Sequence, residues 1–198
     1  PKNNEDLKIK LKEVAGINFG LKLKTAVYNG SYFKNDIVFE RYFLEDSAES
    51  FALPMKKIYK RGKNYAKILL WLESHGKETV EHSEYFDSIL NMGFIIITAD
   101  LPGIGELQDP EFKGDAFIND VPFNYTFGLN LVGKSVTGIR SDAINLLIQF
   151  VQSKFQSNKS SLYTLVKGEI IPSFLHYTIF NNPFDKIILI NPLTSYKD

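Results

Sequence analysis

Four continuous apolar runs constrain this fold more than any other feature. They are Ile68-Leu69-Leu70-Trp71-Leu72, Phe94-Ile95-Ile96-Ile97-Thr98, Leu162-Tyr163-Thr164-Leu165-Val166 and Ile187-Ile188-Leu189-Ile190. Runs this short, with no polar alternation, suit strands buried on both faces. The segments between them have helical spacing. Val80, Phe86, Ile89 and Leu90 predict a helix over 79–92, stopped by Gly93. Ile144, Leu147, Ile148, Val151 and Phe155 predict a second, and residues 172–180 a short apolar third. Strand alternating with helix implies a mostly parallel sheet flanked by helices, with sites at the carboxyl ends of its strands. The places to inspect follow Leu72, Thr98, Val166 and Ile190.

The first sixty residues predict an antiparallel lead-in. Leu7-Lys8-Ile9-Lys10-Leu11-Lys12 alternates with the period of a half-buried strand. Strands are also expected over 37–44 and 51–55, with turns at Asn29-Gly30 and at Arg61-Gly62-Lys63-Asn64. Phe39, Tyr42, Phe43 and Phe51 are simplest as core aromatics. Residues 101–134, rich in Gly, Pro and Asn, predict an irregular stretch. The 198 residues make one α/β domain, a lead-in over 1–60 and a βα core over 66–198.

Lys plus Arg and Asp plus Glu are both 23, so net charge is zero. No global field would hold nucleic acid or an anionic membrane. There is no cysteine, which excludes disulfides and thiolate chemistry. No apolar run approaches the ~18 residues of a membrane helix, and no signal peptide is visible. The start at Pro1 suggests a processed product.

Three loops could carry chemistry. After the first buried strand stands Glu73-Ser74-His75-Gly76-Lys77. Here His75, Gly76 and Lys77 sit where a glycine could turn a backbone N–H toward a developing oxyanion. The alternative is a plain turn with an exposed histidine. Gly128-Leu129-Asn130-Leu131-Val132-Gly133-Lys134-Ser135 matches a phosphate-loop pattern. Its bulky middle, Gly138 beyond it and the absence of a preceding buried strand argue against nucleotide binding. Lys167-Gly168-Glu169-Ile170-Ile171-Pro172 follows the third buried strand. A hydrolase would mount its nucleophile on this turn. Glu169 takes the central place and no Ser, Cys or Thr is present. Ser173 falls inside the next helix. His82 reads as solvated and His176 as a core or rim residue. No histidine pair has metal-ligand spacing, so no metal or cofactor is expected.

Taken together, Arg41-Tyr42-Phe43-Leu44, Ser74-His75-Gly76, Asp100-Leu101-Pro102-Gly103-Ile104-Gly105 and residues 133–142 resemble α/β-hydrolases of the acetyl xylan esterase type. In that resemblance Gly133, Arg140 and Asp142 open the helix before the nucleophile strand, which accounts for the phosphate-loop match. Residues 187–198, with Ser195 and Tyr196, resemble the next strand and its exit. The resemblance covers residues 35–198. It implies a Ser, acid, His triad that removes acyl groups from carbohydrate, with acid and His later in the chain. The expectation is an incomplete or inactive esterase: the turn lacks a nucleophile, and the acid and His would lie past Asp198. Glu169 acting as a base on water is the one substitute, and losing a triad member costs several orders of magnitude. The resemblance also implies a carbohydrate ester or glycan partner, a partner chain or dimer completing the fold, and export. A non-catalytic glycan- or protein-binding module is the alternative.

Overall fold

A computed structural model describes residues 3–63, 65–108, 117–118, 121–155 and 160–192. Its centre is a seven-stranded sheet. Strands β1 (Leu23–Lys34), β2 (Ile37–Asp46) and β3 (Ala52–Lys60) form an antiparallel lead-in. Strands β4 (Lys67–Glu73), β5 (Phe94–Ala99), β8 (Ser161–Lys167) and β9 (Lys186–Ile190) are parallel to one another. The order across the sheet is β1-β2-β3-β5-β4-β8-β9, and β3 joins the two parts by pairing antiparallel with β5. Short strands β6 (Phe117–Ile118) and β7 (Val121–Pro122) form a separate ribbon. All four apolar runs are strands of the sheet, but the fourth is not buried on both faces: Ile187 and Ile188 of the outer strand β9 are exposed.

Alternate residues of these strands feed two cores. On one face Ile68, Leu70 and Leu72 pack with Leu147 and Phe150 of α4 (Val136–Phe155) and Phe174 and Tyr177 of α5 (Ile171–Phe180). On the other, Leu69 and Trp71 pack with Val80, Phe86, Ile89 and Leu90. Phe39 is fully buried, and Tyr42 and Phe51 pack against the core.

Several sequence expectations are corrected. Residues 7–12 are helical, within α1 (Asn4–Ala15). The Asn3 side chain caps the Asp6 N–H at 2.8 Å, Glu5 and Asp6 favour the first turn, and Gly16 closes the helix with φ 64°. The Leu-Lys-Ile-Lys alternation coincides with a helical spacing of Leu7, Leu11 and Ala15. Only Ala15 is buried in α1, and Ile9 faces solvent. Asn29-Gly30 is a bulge inside β1, between Tyr28 and Ser31, and the reversal falls at Asn35, φ 57°. The helix expected over 79–92 is two pieces, a 3-10 helix (Lys77–His82) and α2 (Phe86–Asn91), parted by Ser83 in an extended conformation. Residues 101–134 contain α3 (Phe123–Leu131).

Glycine explains how α1 docks. A Cβ on Gly138 would lie 1.8 Å from the Ala15 carbonyl oxygen, so the α1 terminus rests directly on α4. Alanine at a helix interior gains about 1 kcal/mol over glycine, while overpacking costs about 1–3 kcal/mol. Gly138→Ala is therefore expected to lower stability or detach α1, which hydrogen exchange of the Gly16 and Ile17 amides would detect as lost protection.

A carboxylate on β2 organises the lead-in. Glu40 accepts from Tyr59 Oη at 2.7 Å, Tyr42 Oη at 2.8 Å and Lys57 Nζ at 3.1 Å. Burial works to raise its pKa, and these three donors outweigh burial and hold it below the ordinary carboxylate range. A depressed folded pKa gives stability that is present above the unfolded value and lost as pH falls through the folded one. Glu40→Gln is expected to destabilise at neutral pH, with the difference from the parent shrinking on acidification, read by denaturant midpoints across that range.

Candidate active-site edge

The loops after β4, β5 and β8 meet at the carboxyl edge. After β4, the Gly76 N–H donates to the Glu73 carbonyl at 3.0 Å. The Lys77 N–H donates to Asp100 Oδ1 at 2.6 Å, and Lys77 Nζ to Asp100 Oδ2 at 2.6 Å. Lys77 Nζ also pairs with Glu106, and the Glu106 N–H donates to Asp100 Oδ2 at 3.0 Å. Asp100 and Lys77 are 1% and 3% exposed, so this is a buried ion pair stitching the β4 and β5 loops together. A Cβ on Gly105, φ 57°, would lie 2.3 Å from Asp100 Cγ, so only glycine lets the backbone wrap the carboxylate. The Gly76 and Lys77 amides are thus spent inside the loops and are not turned toward a reacting carbonyl.

His75 is exposed. Its Nδ1 lies 3.4 Å from Ser74 Oγ, at the long limit of a hydrogen bond. Ser74 abuts the next loop: a Cβ on Gly168 would meet Ser74 Oγ at 2.8 Å. The turn after β8 is a 3-10 turn (Gly168–Ile170) leading straight into α5. Its positive φ, 70°, is taken by Gly168. Glu169 is exposed, while Ile170 and Ile171 are 0% and 1% exposed. Counted from Gly168 in a G-x-S-x-G pattern, the nucleophile's place falls on Ile170, one residue past Glu169. Ile170 points into the core.

The other polar residues near this edge are committed to structure. Ser173 is buried and its carbonyl accepts from Ser141 Oγ at 2.8 Å. His176 Nδ1 is 2.7 Å from the Pro172 carbonyl, one turn back in α5, and His82 is exposed. Glu73 accepts from Trp71 Nε1 at 3.0 Å. Among the described residues no three metal-ligating side chains converge. Ser195 and Tyr196 lie outside the described residues.

The phosphate-loop pattern has a structural use. Lys134 Nζ donates to the Gly16 carbonyl at 2.7 Å and to Asp142 Oδ2 at 3.0 Å. Asp142, 1% exposed, also accepts the Asn18 N–H at 2.7 Å. Burial raises its pKa, opposed by Lys134 and the Asn18 amide. Gly133, Lys134 and Asp142 therefore clamp the end of α1 against α4. Arg140, two residues earlier on α4, instead turns to the carboxyl edge, where its Nε donates to the Pro102 carbonyl at 3.0 Å. Burial holds its pKa below the ordinary guanidinium value. Tyr125, on α3, lies beside it. Sequence reasoning missed α3 and Tyr125. Phe123, Phe127 and Leu131 do repeat at helical spacing, but all three are exposed, so they mark no buried face.

No family model matches the sequence, and no curated protein does. Solved structures do. A Bacteroides fragilis protein provisionally classed as an acetyl xylan esterase superposes with a TM-score of 0.72 at 13% identity, over 93% of this chain and 51% of its own. Acetyl xylan esterase 1 from Thermoanaerobacterium sp. gives 0.58 at 12%, over 94% and 57%. A methylesterase, BT1017, gives 0.62 at 10%, over 93% and 39%. The chain thus spans roughly half the length of these proteins. At such identities the likeness establishes a shared fold.

Proposed function

We propose that this chain, whose fold is that of the α/β-hydrolases, is the sheet-bearing part of a carbohydrate ester hydrolase that holds glycan but does not cleave esters by itself. One observation carries this reading. The turn after β8 offers a buried Ile170 and an exposed Glu169 where a nucleophile would stand, and the positive φ belongs to Gly168. The Gly76 and Lys77 amides, bound within their loops, support it in that neither is turned outward as an oxyanion donor. The carbohydrate substrate class is supported by the acetyl xylan esterases among the structural neighbours. Ile187 and Ile188, exposed on the two faces of the outer strand β9, support a further element or a partner chain covering the sheet there.

Hydrolysis of p-nitrophenyl acetate and of acetylated xylo-oligosaccharides tests the reading. The expected rate is the buffer background, unchanged in Glu169→Ala. A second reading rests on the Ser74 and His75 contact, which could serve as a minimal nucleophile and base. Turnover above background that disappears in Ser74→Ala would establish it and overturn the inactive assignment.

A further inference from the structure

The one Asn-Gly pair in the sequence, Asn29-Gly30, lies in β1, the outer strand of the antiparallel lead-in. Tyr28 pairs with Tyr42 and Ser31 with Glu40, so Asn29 and Gly30 together face the single residue Arg41. A bulge of this kind leaves its extra residue out of the ladder and disrupts the pairing locally. Asn29 is exposed, so its side-chain amide meets water rather than a packed neighbour.

Three features of the bulge favour one reaction, attack of a backbone nitrogen on the preceding side-chain amide. The residue after Asn29 has no Cβ to shield its nitrogen, and its φ of 97° is one that other residues rarely adopt. The space around it is open: a Cβ built on Gly30 would meet nothing nearer than Arg41 Nη2, at 3.9 Å. That contact also puts a cation beside the reacting atoms. The Arg41 guanidinium carbon lies 5.9 Å from the centre of the Tyr32 ring, which helps to hold it there. A nearby positive charge favours the deprotonated form of the Gly30 amide and the negative charge that develops during attack.

We propose that Asn29 is a site of spontaneous deamidation in the folded protein. The Gly30 nitrogen gives its proton to hydroxide and attacks the side-chain carbonyl carbon of Asn29. A new C–N bond closes a five-membered succinimide. The bond from that carbon to the amide nitrogen breaks, and the nitrogen takes up a proton and leaves as ammonia. One water then opens the ring at either carbonyl, giving aspartate or isoaspartate. Either product sets a carboxylate near Arg41. Isoaspartate also lengthens the backbone where the strand already carries an extra residue, so the ladder on both sides is expected to persist. This modification is independent of the esterase reading.

Incubation of the folded chain in mildly alkaline buffer, followed by peptide mapping and enzymatic labelling of isoaspartate, tests the proposal. The peptide holding Asn29 is expected to gain the mass difference between NH2 and OH, with both products present and a rate that rises with pH. Asn29→Gln, which would need a larger ring, should abolish the gain; Asn29 is exposed, so this variant keeps the fold. Arg41→Gln should slow the reaction, and added salt should slow the parent more than this variant, because the cation is exposed and screened. A rate unmoved in Arg41→Gln would overturn the part given to the cation. An unmodified Asn29 in the folded chain, under conditions that convert the urea-unfolded chain, would overturn the proposal itself.

Discussion

Replacing Asp100 with alanine is expected to remove about 3–5 kcal/mol of stability, the cost of breaking a buried ion pair from one side. Asp100 accepts both the Lys77 N–H and the Glu106 N–H, and it faces Lys77 Nζ at 2.6 Å. Without it, a cation only 3% exposed keeps Glu106, which is 56% exposed and so worth at most about 1 kcal/mol. Two loop amides also lose their acceptor. Lys77→Met alone strands the carboxylate instead. Combining Asp100→Ala with Lys77→Met removes both charges, and the double variant is expected to cost less than the sum of the two. Urea denaturation of the four species as a double-mutant cycle checks this. Additive losses would show that the pair is not coupled.

Beside that pair, with Glu78 reaching both lysines, Lys56→Ala is expected to cost about 3 kcal/mol or more by the same logic. Lys56, 2% exposed, donates to Glu81 Oε1 at 2.8 Å and to Tyr32 Oη at 3.1 Å, and also reaches Glu78. Burial pushes its pKa down, and the hydrogen bonds from Lys56 to Glu78, Glu81 and Tyr32 outweigh burial to leave it above the ordinary value. The two glutamates are not equivalent. Glu78 is 62% exposed and Glu81 only 13%. Glu78→Gln should therefore change stability by less than about 1 kcal/mol, whereas Glu81→Gln should approach the Lys56→Ala loss. Thermal or urea midpoints of the three single variants give the ranking directly.

The inner parallel strands β4, β5 and β8 are legible because burial on both faces imposes a run such as Ile68-Leu69-Leu70-Trp71-Leu72 with no polar break, and helices of α4 length leave a long periodic trace; the same composition marks β9 as a strand but overstates its burial. The lead-in was legible only where alternation had a single meaning. At residues 7–12 Leu-Lys-Ile-Lys satisfies a strand period, and what decides the helix is the Asn3 cap and the Gly16 stop outside that window. The turn after Val166 could be located because a strand end and a helix start are both visible there. Its lack of a serine is plain from the sequence, whereas the burial of Ile170 and the exposure of Glu169 depend on how the turn enters α5. Lys77 was singled out for its backbone, while its ammonium, paired across 23 residues with Asp100, gives no local signal. Arg140 was read as a helix-opening residue. Its bond to the Pro102 carbonyl at the carboxyl edge depends on where that loop folds, which no spacing encodes.

Ester cleavage by this chain would require a chemically activated hydroxyl at the carboxyl edge. Exposure of the folded chain to a fluorophosphonate, followed by intact mass measurement and peptide mapping, tests for one without a substrate. An unmodified mass is predicted, because a serine lacking an oriented base is not nucleophilic enough to displace fluoride. A stoichiometric adduct on Ser74, lost when His75 is replaced by Ala, would contradict it.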